Sequence, residues 1–269
     1  MKKHSINGLN VIEFGENNQQ AVIFIHAFPL CNRMWDKQAE SLQAKYRVIV
    51  YDLRGFGYSE VGDALFTLDS HVDDLVTIMG TLKLEKPIIC GLSMGGYIAM
   101  RALEMGQNRF KAAILADTKS ESDTNNVKTA RSKQIKQIKN GDKATVYETL
   151  MQAGLSDKSK AENPKLVEFV KTMMGWQKDT GIIGALMTLA ARTDPTESLE
   201  RIEIPVLVIV GKDDKLTPPE YSKFIYGKIR NAHLAVIPDA GHFSNLENPD
   251  EFNRVITKFI TEVTQGKGK

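Results

Sequence analysis

A single serine, Ser93, lies in residues 89–97 (ICGLSMGGY), at the point where an apolar run stops and a helix-like pattern begins. Glycines at positions 91 and 95 complete the pattern Gly-x-Ser-x-Gly. Between a strand and a helix, this pattern is typical of a sharp turn that exposes a nucleophilic hydroxyl. Small residues suit such a turn because the strand and helix backbones pass very close to each other. We therefore predict that Ser93 is a nucleophile; the alternative is an ordinary glycine-containing turn.

A serine that attacks a carbonyl carbon also needs N–H donors for the oxyanion that forms. The amide of Met94 would lie at the first turn of the following helix, where N–H groups are unpaired and the helix dipole favours negative charge. A second donor is expected in the loop after an earlier strand. The segment AVIFIHAFPL ends such a strand, and the backbone N–H of Phe28 is the candidate within it. Pro29 alone would also account for a turn at this position.

The serine also needs a general base, and the sequence contains five histidines. In folds with this type of turn the chain order is serine, acid, histidine, and only His233 and His242 follow Ser93. His233 begins an apolar run and would lie at the amino edge of the sheet, whereas His242 follows that run at the carboxyl edge. Because sites of open α/β sheets lie at the carboxyl edge, we predict that His242 is the base.

The acid that orients the histidine should follow another strand at the same edge. Asp213 and Asp214 follow the apolar run VLVIV, and Asp117 follows the run AAILA. Paired aspartates are also common in solvated turns. The positions of these residues leave all three open as candidates.

Short β-rich runs alternate with longer amphipathic runs, which predicts an α/β fold with right-handed crossovers. The strands are continuously apolar, so the sheet should be mostly parallel, doubly wound and buried on both faces. The predicted strands comprise a hairpin at 6–14 and runs at 21–26, 47–51, 87–90, 112–116, 206–210 and 234–237. The predicted helices outside the middle of the chain are 34–44, 68–82, 94–105, 219–229 and 250–263.

The alternation stops between Thr118 and Arg201. This segment shows four helical patterns, at 127–139, 143–153, 164–174 and 181–191, and no strand-like run. We predict that residues 118–201 form a helical cap, or lid, inserted into a core made of residues 1–117 and 202–269. The lysines near the start of the segment are interpreted as a solvated helix face because Ile135 and Ile138 lie among them at helical spacing.

Composition excludes several classes of function. With 35 Lys and Arg against 33 Asp and Glu, the net charge is +2, which argues against a nucleic-acid partner. No apolar run approaches the roughly 18 residues of a membrane span, and no secretory signal is visible at the start. The two cysteines are expected to be free thiols in a cytoplasmic protein. The sequence shows no zinc-ligand spacing and no dinucleotide-binding motif, so no metal or cofactor is expected.

Three further segments, with the Ser93 turn, resemble the α/β-hydrolase family over essentially the whole chain. Residues 240–252 (AGHFSNLENPDEF) resemble the family pattern Gly-His-x-x-x-x-Glu-x-Pro. Residues 211–218 (GKDDKLTP) resemble Gly-x-x-Asp-x-x-x-Pro, which lands on Asp214. Residues 51–60 (YDLRGFGYSE) resemble a loop that is mainly structural in the family. The resemblance implies a catalytic triad of Ser93, Asp214 and His242, with Phe28 and Met94 forming the oxyanion hole. The chain departs from the family at Ala27, where glycine is common.

Within the family the chain resembles small-molecule carboxylesterases and 3-oxoadipate enol-lactonases. The resemblance implies a serine esterase that cleaves small carboxylic esters through an acyl-serine intermediate. A lactonase is one alternative, and a non-enzymatic ligand-binding or signalling module on the same fold is another. We expect an apolar substrate pocket lined by four side chains: Trp176, Met187, Leu216 and Phe243.

Overall fold

The computed structural model describes residues 1–266, and its centre is an eight-stranded sheet. The strands are β1 Lys2–Ile6, β2 Leu9–Phe14, β3 Ala21–Ile25, β4 Arg47–Tyr51, β5 Ile88–Leu92, β6 Ala112–Ala116, β7 Val206–Gly211 and β8 Ala232–Ile237. Their spatial order is β1-β2-β4-β3-β5-β6-β7-β8. All pairs from β4 to β8 are parallel, while β1 and β2 form an antiparallel edge. The prediction of an α/β fold with a mostly parallel sheet is confirmed.

Burial follows the strand sequences. The five residues of β3, of β5 and of β6 are all buried, as continuously apolar central strands should be. The hairpin strand β2 alternates between buried and half-buried residues, which fits an antiparallel edge. Asn7 and Gly8 form its turn, and both have positive φ, as a two-residue hairpin turn requires.

Eleven α-helices occur within residues 1–266. Six of them belong with the sheet: α1 Asp36–Leu42, α2 Leu68–Thr81, α3 Met94–Gly106, α9 Pro219–Lys228, α10 Ser244–Glu247 and α11 Pro249–Thr264. The helices α2 and α3 pack against each other, and α1 packs against α11. In the part of the chain that the structure describes, no helix is both long and apolar enough to cross a membrane.

The other five helices connect β6 to β7, and no strand interrupts them. They are α4 Asn125–Lys139, α5 Lys143–Gly154, α6 Asp157–Glu162, α7 Pro164–Gly175 and α8 Asp179–Ala191. The sequence patterns missed α6 because this short helix is mostly polar and carries no apolar periodicity. Outside this region, the predicted helix at 34–44 is a 3₁₀ turn, Asn32–Trp35, followed by the shorter α1.

Close backbone packing explains the glycines around Ser93. A Cβ on Gly91 would collide with the backbone of Gly95, and a Cβ on Gly95 would collide with the carbonyl of Ile25. Ser93 itself has φ 55° and ψ −113°, a conformation that is strained for a residue with a side chain. The turn from β5 into α3 is therefore held by contact with the end of β3.

Adding one methyl group at this turn should damage the fold. Gly95→Ala is expected to lower the free energy of unfolding by roughly 3 kcal/mol or more, because the backbone of β3 cannot yield to a side chain. The matched control is Gly80→Ala on the exposed face of α2, where a Cβ meets no atom within 4 Å. The control should stabilise the protein by about 0.5–1 kcal/mol. Urea unfolding measures both, and equal midpoints for the two variants would contradict the packing argument.

Candidate active site

Ser93 is fixed by three backbone contacts at the carboxyl edge of the sheet. Its N–H donates to Ala116 O at 2.9 Å, and its carbonyl accepts from Thr118 Oγ1 at 3.0 Å and from the Tyr97 amide at 3.1 Å. The side chain is then free to point away from the sheet. Its hydroxyl lies 2.8 Å from Nε2 of His242, in hydrogen-bonding contact with that imidazole.

His242 lies in the loop between β8 and α10, and its ring is hydrogen-bonded on both sides. While Nε2 contacts the Ser93 hydroxyl, Nδ1 lies 2.9 Å from Asp214 Oδ2 and 3.1 Å from Thr217 Oγ1. The ring is buried. The His242 backbone N–H donates to Gly154 O at 2.8 Å, so the last residue of α5 also holds the loop.

Asp214 is the aspartate that contacts the histidine. Its Oδ1 accepts the N–H groups of Leu216 and Thr217 at 2.8 and 2.9 Å. Its Oδ2 accepts the Thr217 hydroxyl at 2.7 Å in addition to facing His242. These contacts satisfy the carboxylate and fix its orientation, since an ionised carboxylate is an acceptor only.

The other two aspartates have different surroundings. Asp213 is exposed, and its side chain makes no hydrogen bond to any residue in 1–266. Asp117 is fully buried, but its oxygens contact the Gly211 amide and the Ser244 hydroxyl and not the histidine ring. Of the three candidates left open by the sequence, only Asp214 meets His242 directly.

The charges of the pair shift both pKa values in the direction that favours an ion pair. Burial opposes the charged form of His242, but the Asp214 carboxylate and its hydrogen bond outweigh burial and raise the pKa of His242. Burial likewise opposes the charged form of Asp214, but His242 and the Thr217 donors prevail and lower the pKa of Asp214. A proton taken from Ser93 would thus be held by an imidazole that an adjacent carboxylate stabilises in its charged form.

The two backbone N–H groups expected to bind an oxyanion belong to Met94 and Phe28. Within residues 1–266, neither the Met94 amide nor the Phe28 amide donates a hydrogen bond to the protein. Met94 is the first residue of α3, and the carbonyls of Ile25 and His26 lie against Gly95, one residue further along that helix. The loop that carries Phe28 therefore begins beside the Ser93 turn.

The histidine at the start of this loop has a structural role. His26 is buried, and its Nδ1 donates to the Ala27 carbonyl at 2.9 Å while its Nε2 accepts the Leu53 N–H at 2.9 Å. Burial lowers the pKa of His26, so the ring stays neutral and connects the two loops. Ala27 is accommodated here, with its N–H directed at the sulfur of Met34 at 3.2 Å.

The four residues expected to line a substrate pocket lie in different environments. Phe243 is buried with its ring 5.5 Å from that of His242, and Leu216 is partly exposed beside Asp214. Trp176 is 46% exposed, and the Arg33 guanidinium lies 5.5 Å from its ring. Met187 is 49% exposed and lines a surface cleft with residues 64–69, a cleft whose lining includes neither Ser93 nor His242. The structure brings Phe243 and Leu216 to the site but does not bring Met187 there.

The contacts of three residues were not predicted from the sequence. Thr217 was detectable, because a hydroxyl three residues after an aspartate commonly closes a local turn. Gly154 gave no signal, since its contact joins distant parts of the chain. Glu247 is the glutamate of the pattern Gly-His-x-x-x-x-Glu-x-Pro, but the pattern did not show which groups it contacts. Glu247 accepts the Gly241 amide at 2.9 Å and the Ser156 amide at 2.8 Å, which ties the α5–α6 junction to the histidine loop.

The electrostatic pairing can be measured without any substrate. The His242 imidazole should titrate above the ordinary histidine pKa of about 6.5, so that its charged form persists to a higher pH. Asp214→Asn should lower this pKa because it removes the adjacent negative charge, whereas Asp213→Asn should leave it unchanged. Proton NMR of the ring as a function of pH gives both values. The pairing is refuted if the Asp214→Asn protein titrates like the wild type.

Comparisons with known proteins identify the family of the fold. The family model described as alpha/beta hydrolase fold matches residues 20–249. The chain is 30% identical to 3-oxoadipate enol-lactonase 1 of Acinetobacter baylyi over 249 residues, which cover 93% of this chain and 91% of that protein.

Solved structures with a similar fold include two enzymes. A thermophilic esterase from Thermogutta terrifontis, with malate bound, is 30% identical with a TM-score of 0.92, covering 97% of this chain and 98% of that one. A bromoperoxidase from Bacillus anthracis is 24% identical with a TM-score of 0.85 over 97% and 99% of the two chains, a likeness of fold alone. The match of the family model over most of the chain shows that the protein belongs to the alpha/beta hydrolase family.

Proposed function

We propose that this protein is a serine hydrolase that cleaves small carboxylic esters. The observation that carries the proposal is the continuous hydrogen-bonded chain from Ser93 Oγ through the His242 ring to Asp214 Oδ2, with distances of 2.8 and 2.9 Å. A serine, a histidine and a buried carboxylate in this arrangement form a nucleophile, a base and an orienting acid.

The reaction follows from the two sides of the imidazole. His242 Nε2 takes the Ser93 proton as Oγ attacks the ester carbonyl, and it then gives that proton to the departing alcohol. Water attacks the resulting acyl-Ser93, again with His242 as base, and releases the acid. Asp214 keeps Nδ1 protonated and stabilises the imidazolium that forms in both steps.

The oxyanion is assigned to the Phe28 and Met94 amides. Among residues 1–266 neither N–H group has a hydrogen-bond partner, and the Met94 amide also lies at the positive end of the α3 dipole. Donors that are already in place when negative charge develops on the carbonyl oxygen stabilise the transition state more than the ground state.

Substrate choice is assigned to a cap made of residues 118–201, mounted on a core of residues 1–117 and 202–269. Two features support this division: the helices α4 to α8 all lie between β6 and β7, and α5 reaches the histidine loop through Gly154. Phe243 is the pocket-lining candidate closest to the base. A Cβ on Gly154 would come within 2.8 Å of its ring, so the cap packs directly on it.

A lactone is the second candidate substrate, and the similarity to an enol-lactonase at 30% identity favours it. The chemistry would be the same, except that the leaving alcohol remains joined to the acyl group. Kinetics on p-nitrophenyl esters of graded acyl length beside simple lactones would separate the two. The absence of turnover on both series would favour the third possibility, a non-enzymatic binding module.

The serine is tested by covalent labelling. A fluorophosphonate should modify Ser93 of the folded protein with a stoichiometry near one, because the hydroxyl is activated by His242. Ser93→Ala should abolish labelling and lower kcat on p-nitrophenyl acetate by roughly 10⁴ to 10⁶. Ser41→Ala, on the exposed face of α1, is the matched control and should change neither. Undiminished hydrolysis by the Ser93→Ala protein would refute the mechanism.

The acid is tested by isosteric substitution. Asp214→Asn keeps the shape but presents an amide to Nδ1, which favours the wrong tautomer of His242, so kcat should fall by about 10⁴. Asp213→Asn should retain nearly full activity because its side chain is exposed and contacts no part of the site. The measurement is kcat/KM with circular dichroism as the folding check. Similar losses in the two variants would remove the assignment of the acid to Asp214.

A further inference from the structure

The carboxyl group of Asp117 is a buried acidic side chain at the carboxyl edge of the central sheet that the mechanism above does not use. It follows β6 directly, has φ 44°, and is completely buried. Its Oδ1 accepts the Gly211 N–H at 2.7 Å, and its Oδ2 accepts the Ser244 hydroxyl at 2.5 Å. A buried carboxyl in a strained backbone conformation contributes to stability only if contacts of this kind compensate for it.

The two partners of Asp117 belong to the two segments that carry the acid and the base. Gly211 ends β7, and its carbonyl accepts the Asp214 amide at 3.2 Å. Ser244 is the first residue of α10, two positions after His242. One side chain thus spans the gap between these two segments.

The two segments also touch each other directly. The Asp213 amide donates to the Ala240 carbonyl at 2.8 Å, and a Cβ on Gly211 would collide with the Gly241 carbonyl. Their relative position therefore has little freedom, and a change at the Asp117 bridge would be felt at both Asp214 and His242.

We propose that Asp117 is a positioning residue that holds the Asp214 turn and the His242 loop in register with Ser93, a role that rests on the proposed hydrolase function. It acts through Gly211 and Ser244, because the Nδ1 atom of His242 is already occupied by Asp214 and Thr217. Its backbone adds a third tie to the same region, since its N–H donates to Ile209 O of β7 at 2.8 Å.

The surroundings of the Asp117 carboxyl group shift its pKa. Burial and then the neighbouring Asp214 carboxylate raise the pKa of Asp117 well above its ordinary value, against the opposing influence of His242 and its own hydrogen bonds. Burial, and then Asp117, also raise the pKa of the Cys90 thiol of β5. The direction of the Asp117 pKa shift favours the uncharged acid, with Asp214 as the carboxylate that contacts the histidine ring.

The bridge makes a specific demand on substitutions. Asparagine keeps an oxygen to accept the Gly211 N–H, and its NH2 group donates to the Ser244 oxygen once that hydroxyl rotates to accept, so Asp117→Asn should preserve both links with the second reversed in direction. Asp117→Ala removes both, and Ser244→Ala removes one. The three variants therefore separate loss of the bridge from loss of a charge.

The experiment measures the rate of Ser93 modification by a fluorophosphonate in the full-length protein as a function of pH. Asp117→Asn should react within about threefold of the wild type with the same pH midpoint. Asp117→Ala should react at least tenfold more slowly, while circular dichroism stays native. The NMR signal of the His242 Nδ1 proton, which is expected to be strongly deshielded, should rank the variants in the same way as the reaction rate. It should persist in Asp117→Asn and broaden in Asp117→Ala.

Three results would overturn the proposal: wild-type reactivity of Asp117→Ala, an Asp117→Asn protein as slow as Asp117→Ala, or a lower pH midpoint in Asp117→Asn. The last would show that Asp117 acts as a charge. If Asp117→Ala does not fold, Ser244→Ala decides, since a slowed reaction supports the bridge and a wild-type rate contradicts it. Failure of the hydrolase proposal can be distinguished from failure of the Asp117 proposal. If Ser93 of the wild-type protein is not labelled, the hydrolase function is refuted, and the NMR signal of the His242 Nδ1 proton still tests the role of Asp117.

Discussion

The absence of room for a side chain on either side of Ser93 is the constraint on which the rest of the site depends. Gly91 lies against the backbone of Gly95, and Gly95 lies against the end of β3. This contact forces Ser93 into positive φ and turns its hydroxyl away from the sheet. It also places the start of the loop that carries Phe28 beside the first turn of α3. Within residues 1–266 neither the Phe28 amide nor the Met94 amide has a hydrogen-bond partner. One steric contact thus orients the hydroxyl and sets the start of the Phe28 loop beside it.

The second organising element is a set of buried polar groups that satisfy one another. His26 joins two loops as a neutral ring, Asp214 is saturated by local donors, and Asp117 links the segments behind the site. Each would be costly if left without a partner in the interior. Together they turn flexible loops at the ends of strands into a rigid support, which a proton transfer over a few ångströms requires.

The sequence predicted the strands and the turn well because both leave local signals. The central strands are unbroken apolar runs, and the glycines of the turn occupy positions that only glycine can fill. The choice among Asp117, Asp213 and Asp214 could not be made from position alone, since all three follow a strand at the same edge. It depends on how each loop bends, and only the resemblance to a family pointed to Asp214. The helix α8 was harder still, because it is apolar on most of its faces and its periodicity does not show which side Met187 takes.

The ties between the α5–α6 junction and the histidine loop have a consequence for how such proteins diversify. The carbonyl of Gly154 holds the His242 amide, and Glu247 holds the amides of both Gly241 and Ser156. The insertion that would select substrates is therefore not a detachable module. A chimaera that exchanges these helices between relatives would also exchange part of the structure that supports His242. Segments 154–156 and 241–247 would have to be inherited as one unit. Changes in substrate range during evolution would then arise from substitutions on the other helices of the insertion.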